Sequence, residues 1–312
     1  MKVFITKKIP ESGVNYLKEK GFDVTVREEK GIIPDKDLIK ALKNYDGVIS
    51  MLSDNLSKEI LKHAEKTKVI ANYAVGYNNI DVNFAKEKGI IVTNTPDVLT
   101  FATAELAFAL MLSASRRLIE ADKFTREGRF DGWDPLLFLG KTLDGATVGI
   151  VGMGRIGQKF AEMLKGFNAN IIYYSKTKKN LPYRFVDLDT LLKESDFISL
   201  HLPLTKESKH MFTEKEFNKM KDGVVFVNTA RGAIVREKDL VKALKNGKIA
   251  YAGLDVYEFE PKISEELIHM DNVVVLPHIG SATEKARSDM SMLVAKNIYA
   301  VLSGGKPLTP VD

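Results

Sequence analysis

The chain has 312 residues, enough for two domains with sizeable hydrophobic cores. Its 46 basic and 41 acidic side chains leave a net charge of +5, which suits small anionic ligands and gives little support for nucleic-acid binding. The absence of cysteine excludes disulfides, thiol nucleophiles and thiolate metal sites. The amino terminus runs directly into a strand pattern and no apolar stretch is long enough for a bilayer, so we expect a cytoplasmic protein without membrane contact.

Strand and helix patterns alternate along the whole chain, which is typical of a parallel α/β protein. Roughly the first 98 residues predict a separate flavodoxin-like sheet, and a second series of strands begins at residue 147. The predicted strands cover residues 3–6, 22–26, 47–52, 69–73, 90–93, 147–151, 171–174, 197–200, 224–228, 249–253 and 273–276. One long helix is predicted over residues 101–127 and a final helix over residues 283–302.

Three glycines form a G-x-G-x-x-G pattern between the strand at 147–151 and a predicted helix at 155–167. They are Gly152, Gly154 and Gly157. In this context the first glycine makes a tight turn, the second lets the backbone approach a pyrophosphate, and the third lets the helix pack on the strand. The helix N-terminus then offers free N–H groups and a partial positive charge to the phosphates. The pattern predicts a dinucleotide-binding site.

The segment after the next predicted strand indicates which dinucleotide is preferred. NAD sites usually place Asp or Glu here, where the carboxylate holds the ribose 2′-hydroxyl. Residues 175–179 contain Ser175, Lys176 and Lys178 but no acid. Because lysines attract a 2′-phosphate that an acid would repel, we predict NADP(H) as the preferred cofactor and leave NAD(H) open. The alternative is that these lysines form only a solvated loop.

Polar side chains follow three further strands at their carboxyl ends, where sites form in open parallel sheets. They are Arg231, Asp255 with Glu260 shortly after it, and His278. Arg can hold a substrate carboxylate bidentately, and His can exchange the hydroxyl proton. A carboxylate can orient that His and stabilise its charged form. Arg231, Glu260 and His278 therefore predict the catalytic set of a dehydrogenase, with a turn salt bridge and loop decoration as the plainer alternatives for the first two.

The remaining histidines give weaker signals. His201 follows a strand and precedes Pro203, so we expect it to line the cofactor cleft. We expect His63, His210 and His269 at the surface. No two histidines have zinc-type spacing, so no metal site is predicted.

A strand end in the first sheet offers a different kind of site. Val75 and Gly76 follow the strand at 69–73, and their backbone N–H groups could bind an anion. The alternative is a plain strand-to-helix turn with Asp81 as the helix N-cap.

Nine short motifs together resemble the D-isomer-specific 2-hydroxyacid dehydrogenases, in particular the glyoxylate/hydroxypyruvate reductase branch, over essentially the whole chain. They occupy residues 75–81, 95–100, 104–106, 151–157, 201–205, 228–232, 253–256, 260–261 and 277–283. The resemblance implies a two-domain fold in which a Rossmann-type cofactor domain is inserted into a flavodoxin-like substrate domain. The substrate domain would cover residues 1–98 and 284–312, and the dinucleotide-binding domain residues 99–283.

The resemblance also implies roles for single residues. The family's catalytic Arg, Glu and His fall on the three residues already selected, and its substrate-carboxylate loop falls on the segment at 75–76. A second substrate-facing loop falls on residues 50–53 and includes Leu52 and Ser53. Besides the glycines and the 175–179 segment, the implied cofactor contacts are Thr103, Arg155, Ile156, His201, Pro203, Thr229, Ala230, Asp255, Gly280 and Ser281.

The implied activity is the NADPH-preferring reduction of small 2-oxoacids, with glyoxylate and hydroxypyruvate first, to D-2-hydroxyacids with His278 as proton donor. A homodimer through the cofactor domains is implied, with Trp133 reaching the partner. Phosphoglycerate or D-lactate dehydrogenase activity and a non-catalytic dinucleotide-sensing role remain alternatives. One departure stands out, because Phe101 occupies a position where many relatives carry Asp.

Overall fold

The structure is a computed structural model that describes residues 1–311. Its internal contacts divide the chain into two units. Unit 1 consists of Met1–Leu99 and Ser281–Asp312, and unit 2 is the continuous segment Thr100–Gly280. Unit 2 is thus inserted into the sequence of unit 1. The predicted boundaries at residues 98 and 283 differ from these by one and three residues.

Parallel strands alternate with helices through both units, so the α/β prediction is confirmed. The strands are β1 (Lys2–Ile5), β2 (Asp23–Val26), β3 (Gly47–Ser50), β4 (Val69–Asn72), β5 (Ile91–Thr93), β6 (Thr147–Val151), β7 (Asn170–Tyr174), β8 (Arg184–Phe185), β9 (Phe197–Leu200), β10 (Val224–Asn228), β11 (Ile249–Leu254) and β12 (Val273–Val275). The helices are α1 (Glu11–Glu19), α2 (Asp35–Asn44), α3 (Lys58–Leu61), α4 (Val82–Glu87), α5 (Thr100–Ser115), α6 (Leu118–Arg126), α7 (Arg155–Leu164), α8 (Leu188–Glu194), α9 (Glu214–Lys219), α10 (Glu237–Lys245), α11 (Glu265–Ile268) and α12 (Glu284–Leu302).

Unit 1 is built on a five-stranded parallel sheet with the order β2-β1-β3-β4-β5, which is the flavodoxin order that the sequence predicts. The central strands β3 and β4 are buried along their whole length, as expected for strands covered on both faces. The last helix, α12, packs against α1 and β4. Gly13 permits the close approach of α1 to α12, because a Cβ there would lie 2.1 Å from the Ser291 carbonyl oxygen.

Unit 2 is built on a seven-stranded sheet with the order β12-β11-β10-β9-β6-β7-β8. The order reverses between β6 and β9, which is the switch point of a Rossmann-type fold, so this prediction is confirmed. The sequence predicts six strands and misses β8, a two-residue strand whose side chains are exposed at the sheet edge. The helix predicted at 155–167 ends earlier, with α7 followed by a 3₁₀ turn over Lys165–Phe167.

The single helix predicted over residues 101–127 is wrong, because the structure divides it into α5 and α6. Arg117 separates them with a left-handed φ of 55°. The carbonyl of Ser115 accepts a hydrogen bond of 2.9 Å from the N–H of Lys141 instead of continuing the helix. Gly140 allows that approach, since a Cβ there would lie 2.3 Å from the Ser115 oxygen. The helix therefore ends because a distant segment takes its last carbonyl.

Candidate active site

The register of the unit 2 sheet brings the carboxyl ends of its central strands to one level. Val151 of β6 pairs with Leu200 of β9, and Leu200 pairs with Asn228 of β10. Asn228 in turn pairs with Leu254 of β11. The residues that follow these strands therefore share one edge of the sheet, and they are Gly152, His201, Thr229 and Asp255.

The three glycines of the G-x-G-x-x-G pattern are explained by different physical causes. Gly152 has a φ of +103°, and a Cβ there would lie 2.5 Å from the carbonyl oxygen of His201. A Cβ on Gly157 would lie 2.1 Å from the Gly152 oxygen, so the helix packs tightly on the turn. Gly154 has an ordinary φ of −79°, and a Cβ there would meet no protein atom within 4 Å. The packing of this chain does not require a glycine at 154, so we attribute it to a ligand that approaches the backbone.

Other features of this turn fit a dinucleotide. Gly154 is the N-cap of α7, and the first-turn N–H groups of a helix attract phosphate. The N–H of Gly152 donates to the Tyr174 carbonyl at 2.8 Å, which places the end of β7 beside the turn. On the same sheet edge, the hydroxyl of Thr229 is buried without a hydrogen-bond partner in the described chain. Buried hydroxyls are normally paired, and a ligand would supply the missing partner.

The 175–179 segment begins directly beside this turn. Ser175 is buried, and its hydroxyl donates to the Thr177 carbonyl at 2.6 Å. Lys176 and Lys178 are exposed. The ammonium of Lys176 lies 3.8 Å from a carboxylate oxygen of Glu207, and both side chains are open to solvent. The sequence interpretation misses Glu207 because it lies on the loop after β9, far along the chain.

The remaining predicted cofactor residues are spread over several loops. Arg155 and Ile156 form the first turn of α7, exposed and half-buried respectively. Thr103 lies in the first turn of α5, where its methyl group would be 3.5 Å from a Cβ on Gly280. Pro203 is exposed after β9, Ala230 is buried after Thr229, and the Ser281 carbonyl of unit 1 accepts from Thr283 N–H at 2.9 Å.

Two of the predicted catalytic residues form a hydrogen-bonded pair. Nδ1 of His278 lies 2.8 Å from Oε2 of Glu260, and Oε1 of Glu260 accepts from the N–H of Tyr257 at 3.0 Å. Burial raises the pKa of Glu260, but the hydrogen bond and charge of His278 outweigh it, and the net pKa is lowered. Glu260 is therefore ionised at neutral pH and fixes a proton on Nδ1, which leaves Nε2 of His278 for another partner.

Arg231 lies on a turn that touches the loop of Glu260. A Cβ on Gly232 would lie 1.8 Å from the Tyr257 carbonyl carbon, so only glycine permits this approach. The side-chain amide of Asn228 holds the turn, with its Nδ2 donating to the Arg231 carbonyl at 3.1 Å. Burial lowers the pKa of the Arg231 guanidinium and the charge of Glu260 opposes this, so the group remains a cation.

The backbone of His278 has a left-handed φ of 55°, which is uncommon for any residue but glycine. Asp255 holds the segment that follows. Its two carboxylate oxygens accept from the N–H groups of Ile279 at 2.7 Å and Gly280 at 2.8 Å. Burial raises the pKa of Asp255, and these hydrogen bonds oppose the increase. Asp255 therefore acts on the loop of His278, a role that its strand-end position alone does not reveal.

His201 is half-buried beside the glycine turn, but its ring is turned inward. Its Nε2 lies 2.9 Å from the Ser199 hydroxyl, and its ring centroid lies 5.0 Å from that of Phe160. Burial lowers the pKa of His201 to about 3. It is neutral at physiological pH, which leaves His278 as the strand-end histidine able to donate a proton.

His210 is partly exposed at the surface, as the sequence predicts, but it also makes a contact that the sequence interpretation missed. Its Nε2 lies 2.6 Å from Oε1 of Glu258, whose other oxygen accepts from the N–H of Glu237 at 2.8 Å. Glu258, which lies two residues before Glu260 in the sequence, accepts both hydrogen bonds. The sequence interpretation missed this group because its three residues come from separate parts of the chain with no shared sequence motif.

The predicted substrate loops lie at the corresponding edge of the unit 1 sheet. Val75 and Gly76 follow β4 and are half-buried, and Asp81 caps α4 by accepting from Phe84 N–H at 3.0 Å. Leu52 and Ser53 lie exposed after β3. The side-chain amide of Asn79 joins the two loops, with Nδ2 donating at 3.1 Å to each of the carbonyls of Met51 and Asp54. 

Residues 1–311 contain no group of three or more His, Asp or Glu side chains placed to hold a metal ion. Across the same residues, no helix has both the length and the apolar character needed to cross a membrane.

Comparison with known proteins gives consistent matches. Residues 108–280 match the sequence model described as D-isomer specific 2-hydroxyacid dehydrogenase, NAD binding domain. A glyoxylate reductase of Thermococcus litoralis is 51% identical over 98% of this chain and 95% of its own length. A crystal structure from Thermus thermophilus has a TM-score of 0.96 at 41% identity, covering 100% of both chains. An NADPH-dependent glyoxylate/hydroxypyruvate reductase from Sinorhizobium meliloti, in complex with NADP and malonate, has a TM-score of 0.90 at 33% identity, covering 99% of this chain and 96% of its own.

Proposed function

Because the chain belongs to the D-isomer specific 2-hydroxyacid dehydrogenases, and is thus an NAD(P)-dependent dehydrogenase, we propose that it reduces small 2-oxoacids to D-2-hydroxyacids with NADPH preferred over NADH. The observation that carries the proposal is the His278–Glu260 hydrogen bond of 2.8 Å, with the turn of Arg231 against the same loop. These groups stand on the sheet edge that also holds the glycine turn. In this proposal unit 2 is the dinucleotide-binding domain and unit 1 the substrate domain.

His278 is the proton donor in this proposal. When bound, NADPH supplies a hydride to the keto carbon, and the carbonyl oxygen then needs a proton. The imidazolium of His278 keeps its Nδ1 proton on Glu260 and donates the Nε2 proton to that oxygen. The ionised Glu260 accepts the Nδ1 proton in a hydrogen bond before and after donation, so the ring keeps its orientation. Reduction should therefore be an activity of the protonated enzyme.

Arg231 binds the substrate carboxylate in this proposal. Its guanidinium presents a planar fork of donors that matches a carboxylate, and partial burial strengthens the interaction by excluding water. In unit 1, the backbone N–H groups of Val75 and Gly76 are further candidate donors to a carboxylate, and Leu52 and Ser53 are candidate substrate contacts on the neighbouring loop. A carboxylate held by such donors fixes where the neighbouring keto group points.

The preference for NADPH rests on the loop after β7. An NADP 2′-phosphate would lie near Ser175, Lys176 and Lys178, where no acid within the segment repels it. Lys176 pairs with Glu207, but both groups are exposed, and such pairs contribute only about 0–1 kcal/mol. A doubly charged phosphate can therefore displace Glu207 from Lys176. The Sinorhizobium relative is NADPH-dependent and was solved with NADP, which supports this choice.

Removing the two exposed lysines together, Lys176→Ala with Lys178→Ala, should raise the KM for NADPH about tenfold and leave the KM for NADH within about twofold. Hydrogen bonds to charged groups contribute about 1.5–3 kcal/mol each at best, and exposure reduces this. Steady-state kinetics with both cofactors measures the ratio. Lys242→Ala is the matched control, since Lys242 is also exposed and pairs with Glu214 in unit 2. Equal changes in both KM values would rule out a role in 2′-phosphate binding.

Glyoxylate and hydroxypyruvate are the first substrates to test, since the similar proteins from Thermococcus litoralis and Sinorhizobium meliloti are named for them. Initial rates should be measured with each, using NADPH and NADH at matched concentrations. We expect rapid NADPH-dependent turnover of at least one. Faster turnover of phosphohydroxypyruvate or pyruvate would assign the chain to the phosphoglycerate or D-lactate type. Cofactor binding without turnover of any 2-oxoacid would indicate a dinucleotide sensor.

A homodimer through unit 2 is part of the proposal. Large apolar side chains are exposed along the segment from α6 to residue 139. Trp133 is 84% exposed and Leu136 74% exposed, and patches of this kind on a surface usually mark an interface. A partner subunit would cover them. The cytoplasmic location stays a prediction.

A further inference from the structure

We propose that Asn94 and Asn72 are positioning residues, whose side-chain amides fix two of the three peptide groups that present consecutive backbone N–H groups to the substrate carboxylate. The inference rests on the proposed function of the loop at Val75 and Gly76 and explains how that loop becomes a binding site. Neither asparagine would touch the substrate.

Three successive carbonyl groups in this loop are held by donors from the protein. The Ala74 oxygen accepts from the N–H of Thr95 at 2.9 Å. The Val75 oxygen accepts from Nδ2 of Asn94 at 2.8 Å, and the Gly76 oxygen accepts from Nδ2 of Asn72 at 2.9 Å. Each peptide group between residues 74 and 77 is therefore fixed in rotation.

Fixing these carbonyls also fixes the next N–H groups. A trans peptide is planar and its N–H points opposite to its C=O. The N–H groups of Val75, Gly76 and Tyr77 are consequently directed away from the donors that hold the carbonyls. None of the three donates to an acceptor in the described part of the chain. Val75 and Gly76 are half-buried, and successive backbone N–H groups left without protein acceptors can form an anion-binding concavity.

Asn94 is itself held firmly. Its N–H donates to the Thr309 carbonyl at 3.2 Å, and its own carbonyl accepts from the Thr309 hydroxyl at 2.6 Å. Asn297 of α12 donates to that same hydroxyl at 2.9 Å. The position of the Asn94 amide is thus set by the segment after α12, which lies far from the loop in sequence.

Asn72 is fixed by burial and by the other predicted substrate loop. Its side chain is inaccessible to solvent at the end of β4. Oδ1 of Asn72 accepts from the hydroxyl of Ser50 at 3.1 Å, so Nδ2 is the atom available to the Gly76 carbonyl. Asn79 then connects this group to the loop that carries Leu52 and Ser53. The two predicted substrate loops therefore share one network of side-chain amides.

The plain-turn alternative does not require this arrangement. Capping of α4 by Asp81 involves the N–H of Phe84 and none of the three carbonyls. A turn would need only to reverse the chain, whereas here two asparagine side chains hold two successive peptide groups. The arrangement is what a carboxylate needs, because it places several donors in a preorganised position.

The test is Asn94→Leu, which keeps a similar size, introduces no charge and removes the donor to Val75. Oxalate, an unreactive dicarboxylate, should be titrated calorimetrically into the enzyme–NADPH complex, and glyoxylate kinetics measured in parallel. We expect the oxalate Kd and the glyoxylate KM to rise about tenfold or more, as for losing one hydrogen bond to a charged group. The kcat should change less than KM, because carboxylate binding is shared by ground and transition states. The Kd for NADPH should stay within about twofold, since that site lies in unit 2.

Asn272→Leu is the matched control. Its Nδ2 donates to the Ala250 carbonyl at 3.0 Å in unit 2, a contact of the same kind outside both proposed sites. Asn94→Ala serves if the leucine variant does not fold. Oxalate affinity in a folded Asn94 variant equal to that of the wild type would overturn the inference, as would a wild type that binds no oxalate. A wild type that binds oxalate but reduces no 2-oxoacid would refute the proposed function and leave the titration to decide on Asn94.

Discussion

Replacing His278 by Gln should lower kcat for 2-oxoacid reduction about a thousandfold, while NADPH still binds. General acid catalysis typically contributes about 10²–10⁴-fold, and glutamine cannot supply an acidic proton. His201 cannot substitute for it, because burial lowers the pKa of His201 to about 3 and keeps its ring neutral. Single-turnover kinetics with NADPH already bound would measure the loss separately from cofactor binding.

The pH profile of the reduction rate provides a second and sharper test of His278 as the proton donor. The wild-type rate should depend on the proton that His278 donates, and the variant should lose that part of the pH dependence. Glu260 has a lowered pKa, so its carboxylate persists below its usual value of 4.5, and the wild-type rate should not fall on the acid side until below that pH. His63→Gln is the control, since His63 lies beside α3 in unit 1. A His278→Gln profile identical to that of wild type would reject the assignment.

Replacing Arg231 by Ala should lower kcat/KM for the 2-oxoacid about 10³-fold. Two charge-assisted hydrogen bonds are lost, each of about 1.5–3 kcal/mol, which together correspond to roughly 10²–10⁴-fold. Arg231→Lys should recover only part of the loss, because an ammonium lacks the planar fork. Steady-state kinetics with oxalate inhibition would show whether the missing interaction is with a carboxylate.

Loss of Arg231 should also raise the pKa of Glu260. The positive charge of Arg231 helps to lower the pKa of Glu260, so its removal should move the acid side of the pH profile upward. Arg236→Ala is the control, since that side chain pairs with Asp239 at 3.4 Å and lies on the same segment. A kcat/KM for Arg231→Ala within about threefold of wild type would contradict the role, because even one such hydrogen bond contributes more.

The fold was largely predictable because strands buried on both faces leave continuous apolar runs. Each predicted strand ends within two residues of an observed one. The errors have physical reasons outside the local pattern. β8 is too short and too exposed to show an apolar strand pattern. The break between α5 and α6 depends on the hydrogen bond from the Lys141 N–H to the Ser115 carbonyl. No helix-stop residue marks that break, since Arg116 and Arg117 are ordinary helix formers.

The candidate site was predictable to the level of strand ends and no further. Arg231, Glu260 and His278 could be selected because parallel strands present their carboxyl ends on one edge. The contacts that hold the site residues in place could not be predicted, since they depend on how loops distant in the chain contact one another. Asp255 holding the segment after His278 and Asn94 holding Val75 are examples of contacts between residues distant in the chain.

The insertion of unit 2 has a consequence for how the protein is made. Translation releases α1 and the five strands of unit 1 first, but the helix that packs on them follows only after all of Thr100–Gly280. Unit 2 is continuous, so it can fold on the ribosome while α1 still lacks α12. Until Ser291 arrives opposite Gly13, an apolar face of the nascent chain stays uncovered. The earliest part of the chain to be synthesised is therefore the last to complete its core, and the amide network around Asn94 forms only then.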